Sequence, residues 1–239
     1  MLSKGSSKVL YSLPQDDILL AEFRPELGVD GKKIFKIKDR PKIAAELQAF
    51  IFAYLETYQI PTHFFSQNGS ELLVKRLNII PVEVTVRNLT SQSFAKRFRH
   101  FKPKQQLDFP IFEYLLKDET GEHLVNETYL YALQMLTPEE FRTINRLASK
   151  IDAVMKSFLE RRGLTLVDIK MKFGKYKGVI MLGDEISPEN ITAIDNSTGE
   201  EISVASSRDS REASKNYQLV YSRILPSAPR GATAPKRKA

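Results

Sequence analysis

Asp168 and Lys170 stand two residues apart in the run Val167-Asp168-Ile169-Lys170-Met171-Lys172, and Asp184-Glu185 follows Gly183 further along. In a strand, residues two apart project from the same face, so a hairpin here gathers carboxylates and ammonium groups at one rim. Such a mixture suits phosphate and magnesium chemistry, because Mg²⁺ takes a few carboxylates and leaves its other positions to water and phosphate oxygens. The same residue types also make ordinary surface ion pairs, which contribute little to stability. The chain has no Walker-type phosphate loop, nucleophile elbow or dinucleotide fingerprint, so its chemistry has to be read from irregular signals of this kind.

Composition narrows the choice of metal and partner. There is no cysteine, and the three histidines, His63, His100 and His123, are scattered. This removes disulfides, thiolate metal sites, cysteine nucleophiles and a histidine-rich cage. A bound metal is then hard and oxygen-ligated, magnesium or calcium. A net charge of +7 over 239 residues invites anions, either nucleic acid or small phosphorylated metabolites. Part of the excess lies in residues 226–239, which end in Lys236-Arg237-Lys238 and read as a basic disordered tail. A second cluster, Lys96, Arg97, Arg99, Lys102 and Lys104, is interleaved with Phe94, Phe98, His100 and Phe101. It reads more readily as a solvated edge that packs its rings inward than as a nucleic-acid surface. No run reaches the roughly 18 to 20 apolar residues of a membrane span and the start lacks a signal-peptide stretch, so a cytoplasmic location is expected.

Local patterns supply the elements that must position these groups. Pro14-Gln15-Asp16 separates strand-like residues 9–12 and 18–23, which predicts a hairpin opening a small sheet. A loop is expected through Pro25 and Gly28-Val29-Asp30-Gly31. Ile43, Leu47, Phe50, Ile51, Tyr54 and Leu55 then recur at helical spacing between Pro41 and Ile60-Pro61, predicting one amphipathic helix. Residues 72–74 and 82–86 read as strands of a meander, with Asn68-Gly69 as the turn before the first. Thr137-Pro138-Glu139-Glu140 combines a capping hydroxyl, proline at the first helical position and a glutamate three residues after the cap. Behind it Phe141, Ile144, Leu147, Ile151, Val154, Met155, Phe158 and Leu159 keep the helical period until Gly163. Residues 164–173 and 179–182 read as a hairpin closing at 174–178, residues 185–207 as polar and turn-rich, and residues 208–224 as a last helix. No internal repeat is visible.

Three blocks carry a resemblance beyond local structure. They are Leu73-Val74-Lys75-Arg76-Leu77-Asn78-Ile79-Ile80-Pro81-Val82-Glu83-Val84-Thr85-Val86-Arg87-Asn88, then Val125-Asn126-Glu127-Thr128-Tyr129, then Leu166-Val167-Asp168-Ile169-Lys170-Met171-Lys172-Phe173-Gly174. Followed by residues 178–184 and Ser187-Pro188, they resemble, in order and spacing, the signature blocks of the SAICAR synthetase family. A weaker likeness reaches upstream to Gly5-Ser6-Ser7-Lys8-Val9-Leu10-Tyr11 and fades after about Asp195. The resemblance implies an α+β fold of two lobes: an N-terminal antiparallel sheet plus helix in residues 1–80, a larger α+β lobe in residues 81–225, and a nucleotide cleft between them. The tail would follow at 226–239.

Members of that family join aspartate to the carboxylate of a carboxyaminoimidazole ribonucleotide in purine biosynthesis, with ATP converted to ADP and phosphate. The resemblance implies an acyl-phosphate route and, residue by residue, the following roles. Lys8 would touch ATP phosphate, Lys75, Leu77 and Ile79 would line the adenine slot, and Lys117 would approach the nucleotide from the second lobe. Arg87 and Ser93 would hold the substrate's anionic groups, a task suited to a forked guanidinium beside a hydroxyl. Read from the residues alone, Arg87 two turns of pleat beyond Glu83 could equally form a structural ion pair with it. Asp168 and Lys170 would face the reacting carboxylate and aspartate, and Asp184 would bind magnesium. A homodimer is compatible with the resemblance.

The chain also departs from the family pattern. Lys172 stands where the family's second magnesium-binding carboxylate is expected, and a lysine cannot ligate the ion. Gln92-Ser93 replaces Gly-Ser, Glu122-His123 replaces Asp-Pro, Thr192 stands where a substrate-binding arginine is expected, and Ser6 stands for a glycine-loop lysine. Two alternatives follow from these departures and from the charge. One is a paralogue acting on a related imidazole or purine nucleotide, or binding a nucleotide without turnover. The other is a basic nucleic-acid-binding module.

Overall fold

Strands β1 (Ser3–Lys4), β2 (Lys8–Ser12) and β3 (Ile18–Phe23) run antiparallel in sequence order, and β3 pairs on its other edge with β7 (Glu71–Lys75). β6 (Phe64–Asn68) pairs β7 antiparallel across a turn at Gly69 and Ser70, one residue beyond the expected Asn68-Gly69, so the first sheet has the order β1-β2-β3-β7-β6. The structure, a computed structural model, describes residues 1–15, 17–29, 33–118 and 121–225, with only the backbone of Asp118 among them. The tail 226–239, Asp16 of the first turn and Asp30 and Gly31 of the expected loop lie outside the described residues. What was expected to be a loop around Gly28 is in its described part a strand, since β4 (Glu26–Val29) pairs antiparallel with β5 (Lys33–Lys36). Gly28 fits there because a Cβ would come 3.1 Å from the Ser6 Cβ.

Helix α1 (Arg40–Thr57) lies between two packing surfaces. Ala44 and Ala45 face Leu19, Ala21, Phe23, Leu72 and Val74 of the first sheet, while Ile43, Leu47, Ile51, Phe52 and Leu55 join the main core. The expectation of an amphipathic helix is therefore corrected: α1 is buried on both sides, including the side chains of Arg40 and Gln48, as expected of a helix enclosed by the fold rather than lying on it. The expected meander is corrected as well. β7 ends at Lys75 in the first sheet, whereas β8 (Asn78–Leu89) is the third strand of a second, seven-stranded sheet, with Arg76 and Leu77 crossing between them.

The second sheet has the order β10-β9-β8-β11-β13-β14, and β12 pairs β11 beyond the end of β13. Its long strands are β9 (Gln106–Asp118) and β11 (Leu164–Tyr176), flanking β8 on either side. The remaining strands are β10 (Gly121–Val125), β12 (Val179–Gly183), β13 (Ile191–Asp195) and β14 (Glu201–Ser203). β11 and β12 form the hairpin expected from the sequence, turning at Lys177 and Gly178, both with positive φ. The stretch 185–207, read as turns, contains β13 and β14. Helices α2 (Gln92–Arg97) and α3 (Glu127–Ala132) are short, α4 (Pro138–Glu160) packs along β11, and α5 (Ser210–Ile224) packs on β5, α1 and β14. Among the described residues no helix is long and apolar enough to cross a membrane.

α4 begins as its sequence dictates. The Thr137 hydroxyl accepts the Glu140 N–H at 3.2 Å, and the Glu140 carboxylate accepts the Thr137 N–H at 3.0 Å. Thr137→Ala is expected to cost about 1 kcal/mol, lowering the unfolding midpoint by about 2–4 °C in a calorimetric scan. In the basic aromatic segment Phe94 is buried with Arg97 over its ring, while Phe98 and Phe101 stay 44% and 40% exposed. Only one of the expected inward rings is fully inside.

Candidate active site at the junction of two clefts

The larger cleft, about 300 Å³, lies against the inner face of the first sheet. Its walls are apolar where β2, β3 and β7 contribute Leu10, Leu19, Ala21, Leu72 and Val74, and Leu77 and Ile79 close it where the chain crosses to the second sheet. Leu77 can enter because β11 and β12 each carry a glycine where it packs. A Cβ on Gly174 would fall 2.7 Å from the Leu77 Cβ, and one on Gly183 would fall 2.7 Å from its Cδ1. Lys75 also borders this cleft, with its ammonium donating to the Thr62 carbonyl at 2.9 Å. An apolar slot with a few directed polar groups and this volume is the usual form of a small-molecule site.

The smaller cleft, about 130 Å³, is polar and is lined by Lys117, Lys170, Glu83 and Glu189 among others. The two clefts share Ser6, Ser7, Lys172 and Asp184. Asp184 follows the end of β12 with φ of 58°, in the left-handed region, which an aspartate tolerates better than most residues. Its two oxygens are held by two lysines: Oδ1 accepts from Lys8, and Oδ2 lies 2.8 Å from the Lys172 Nζ. Burial alone pushes Asp184 up, but Lys8 and Lys172 outweigh it and hold the carboxyl well below the usual range. Lys8, the first residue of β2, also reaches Glu185 Oε1 at 2.9 Å, and Ser7 donates to the same oxygen. Burial lowers the Lys8 ammonium, yet Asp184 and Glu185 raise it above its ordinary value. It is a cation throughout the physiological range.

Behind this junction Arg40 is buried completely. It donates to the backbone carbonyls of Ser7 and Arg24 at 2.8 and 2.7 Å, lies 2.5 Å from Glu189 Oε1 and sits 3.7 Å from Glu185 Oε2. It thereby fastens the segment carrying Ser7 and Lys8 to the acidic turn after β12. Arg40 and Glu189 were not singled out from the sequence, which showed Glu185 only as the second half of the acidic pair after Gly183. The only local signal was Pro41 marking a helix start, which says nothing of where the preceding guanidinium goes.

Arg87, Asp168 and Ser93 do come together, but behind the clefts rather than on their walls. The Arg87 Nε lies 2.6 Å from Glu113 Oε2 and its NH1 lies 2.6 Å from Asp168 Oδ2, so the guanidinium is occupied by carboxylates on two sides. Glu113, absent from the sequence expectations, takes the place expected of Glu83, which instead faces Lys117 at 3.5 Å and Lys170 at 3.8 Å. Residue 87 lies opposite Asp168 in register, and Thr192 lies opposite Asp168 on the other side. Burial raises the Asp168 carboxyl despite the opposing pull of Arg87. Ser93 Oγ is 2.9 Å from Ser91 Oγ, which in turn is 3.5 Å from Arg87 NH1. Lys117 borders the smaller cleft and not the larger, and is also paired with Glu122 at 2.7 Å. Gln92 donates its N–H to the Glu201 carboxylate at 3.2 Å.

The residues do not fit a magnesium ion held by the protein at Asp184. Both oxygens already face ammonium groups, and among the described residues no group of three histidine, cysteine, aspartate or glutamate side chains is placed to hold a metal. A divalent ion in that place would sit against two like charges.

His63 borders the larger cleft from beneath, 6% exposed, with its ring edge-on to Phe52 at 5.1 Å. Burial, reinforced by Lys8, lowers its imidazole to about 3. The unfolded chain takes up this proton near pH 6.5 and the folded chain refuses it, so the contribution is complete above pH 6.5 and shrinks as pH falls toward 3. Asp152, Asp168, Glu189 and Glu201, each raised chiefly by burial, act in the opposite direction. The expected result is a difference in slope. Between pH 6.5 and 4.5 a His63→Phe variant should lose up to about 1.4 kcal/mol per pH unit less stability than the parent, measured by urea denaturation. Parallel curves for the two proteins would contradict it.

Comparison with known proteins identifies the family and the overall fold. The family model described as SAICAR synthetase matches residues 1–224. The phosphoribosylaminoimidazole-succinocarboxamide synthase of Persephonella marina is 34% identical over 204 residues, covering 84% of this chain and 85% of that protein. The crystal structure of the synthase of the same name from Ehrlichia chaffeensis superposes with a TM-score of 0.89 at 28% identity, covering 95% of this chain and 99% of that one. A SAICAR synthetase (type 2) solved in complex with ADP gives 0.87 at 31% identity, covering 95% and 98%.

Proposed function

Because the chain belongs to the SAICAR synthetase family, we propose that it is an ATP-dependent ligase that joins aspartate to a carboxyaminoimidazole ribonucleotide. The observation that carries the reading is the pair of clefts meeting at Asp184 and Lys172, with Lys8 holding Asp184 from the larger one. The apolar cleft takes the adenine between Leu77, Ile79 and the β2–β3–β7 wall, with Lys75 at its border, and points the phosphates toward Lys8. The polar cleft takes the imidazole carboxylate and aspartate among Lys170, Lys117 and Glu83.

Chemistry at such a junction asks mainly for positioning and charge neutralisation. An oxygen of the imidazole carboxylate attacks the γ-phosphorus, the bond to the bridging oxygen breaks, and ADP leaves with an acyl phosphate formed. The aspartate amine then attacks the acyl carbon, loses a proton and expels inorganic phosphate. Lys8 stabilises charge on the phosphates, and Lys170 holds the reacting carboxylate against the shared wall. The Glu83 Oε1, buried and without a hydrogen-bond partner among the described residues, is placed to receive the amine. Arg87, Ser93 and Asp168 form a cluster behind the clefts, and Arg87 meets a substrate anion only if it leaves one of its carboxylates. ADP formation should require both aspartate and the imidazole nucleotide. If ADP appears at the same rate without aspartate, or not at all with both substrates over a range of magnesium concentrations, the ligase reading fails. The second reading, a paralogue taking a related nucleotide, is favoured by one observation, the Lys172–Asp184 pair. It predicts ADP release with a different imidazole or purine nucleotide in place of the expected one.

A further inference from the structure

The junction between the clefts is governed by an ammonium group on β11. Lys172 lies opposite Gly183 on β12 and Glu83 on β8 in register, so its side chain rises between two strands at the point where both clefts open. Its Nζ holds one oxygen of Asp184 and that of Lys8 holds the other. Asp184 is itself fixed by its backbone conformation and by Lys8, which is anchored in turn by Glu185. Lys172 borders both clefts and Lys8 the larger, so both ammonium groups stand at the passage between them. The charge-neutralising element is thus already in place, covalently attached and preorganised.

We propose that Lys172 is a tethered cation: nucleotide phosphate is bound at this junction by the Lys172 and Lys8 ammonium groups, with no divalent ion held by the protein. The inference rests on the nucleotide reading above and sharpens it. An ammonium on a strand carries one charge and up to three donors to phosphate oxygens, and its position does not depend on metal supply. Asp184 keeps the two lysines apart and aimed until phosphate oxygens share them.

Calorimetric titration of the full chain with ADP, in EDTA and again with magnesium chloride, tests this. The parent should bind ADP with affinities within about threefold of each other in the two conditions. Lys172→Gln, which removes the charge from a side chain that is 37% exposed and leaves the strand intact, should bind ADP about tenfold or more weakly in both, the loss of one charge-assisted contact. Lys172→Glu, which sets two carboxylates side by side, should bind poorly in EDTA and recover about tenfold or more with magnesium. Unfolding midpoints of both variants within a few degrees of the parent establish that they fold. A parent protein whose ADP affinity rises tenfold on adding magnesium, or a Lys172→Gln variant that binds as the parent does in EDTA, overturns the tethered-cation role while leaving the nucleotide site standing. Absence of ADP binding by the parent in both conditions overturns the nucleotide reading and this inference together.

Discussion

Arg87→Ala should lower the stability of the protein by about 3–5 kcal/mol, and the unfolding midpoint by about 6–20 °C. Arg87 is 7% exposed, and the two carboxylates it holds, on Glu113 and Asp168, are 4% and 3% exposed. Removing the guanidinium leaves both in a buried cluster without their shared counterion, and that desolvation exceeds anything the lost hydrogen bonds alone contribute. Arg97 still reaches Glu113, which keeps the loss within this range. Adding Asp168→Asn to the variant should restore part of the stability, because the amide needs no counterion. Lowering the pH should also narrow the gap, since the Asp168 carboxyl is already raised by burial and protonates early once Arg87 is gone. A variant that unfolds within about 1 kcal/mol of the parent would show that the cluster behaves as a solvated surface pair.

The second large effect is on turnover. Lys8→Met is expected to reduce kcat/KM for ADP release by about 10²–10³, the scale of removing a preorganised charge from a developing anion. Lys8 is the cation bound most deeply at the junction, since its side chain is 12% exposed against 37% for Lys172. Stability should fall less than in Arg87→Ala. Lys172 continues to pair with Asp184, and Arg40 continues to face Glu185 at 3.7 Å. The two variants should therefore separate: Arg87→Ala in thermal unfolding, Lys8→Met in steady-state kinetics of a folded protein. A reduction of less than tenfold in kcat/KM would remove Lys8 from the phosphate-binding role.

Glycines and strand ends account for much of what could be read locally. Gly183 at the end of β12 admits Leu77 to the larger cleft, and the next residue, Asp184, takes the left-handed conformation that turns its carboxylate to the junction. The sequence showed the hairpin and the acidic pair at its rim, but not that Leu77 arrives from the other sheet. Likewise β9 (Gln106–Asp118) escaped notice, although it is one of the two longest strands. Its charged and turn-favouring residues, such as Asp108, Pro110 and Glu113, mask the alternation, and Glu113 points inward only because Arg87 and Arg97 meet it there. α1 (Arg40–Thr57) shows the reverse error. Its period was visible, but a period reports one apolar stripe, and only the second packing surface revealed that Ala44 and Ala45 are also buried.

The sequence by itself determined α4 with its capping box, the β11–β12 hairpin, the family and the presence of a lysine, Lys172, where a metal-binding carboxylate was expected. Those features depend on neighbours within a turn or a strand length, or on blocks of residues in a fixed order, and both are written along the chain. Only the tertiary structure decided which charges meet. Lys8 reaches Asp184 across 176 positions, Arg40 reaches Glu189 across 149, and Arg87 reaches Asp168 across 81. A charge leaves no periodic trace of its partner, because attraction between ions depends on distance in space and on the dielectric around them. The sheets supply both by register and burial, and so turned Lys172 from a substitution noted in a motif into one of two cations holding Asp184 at the meeting of the clefts.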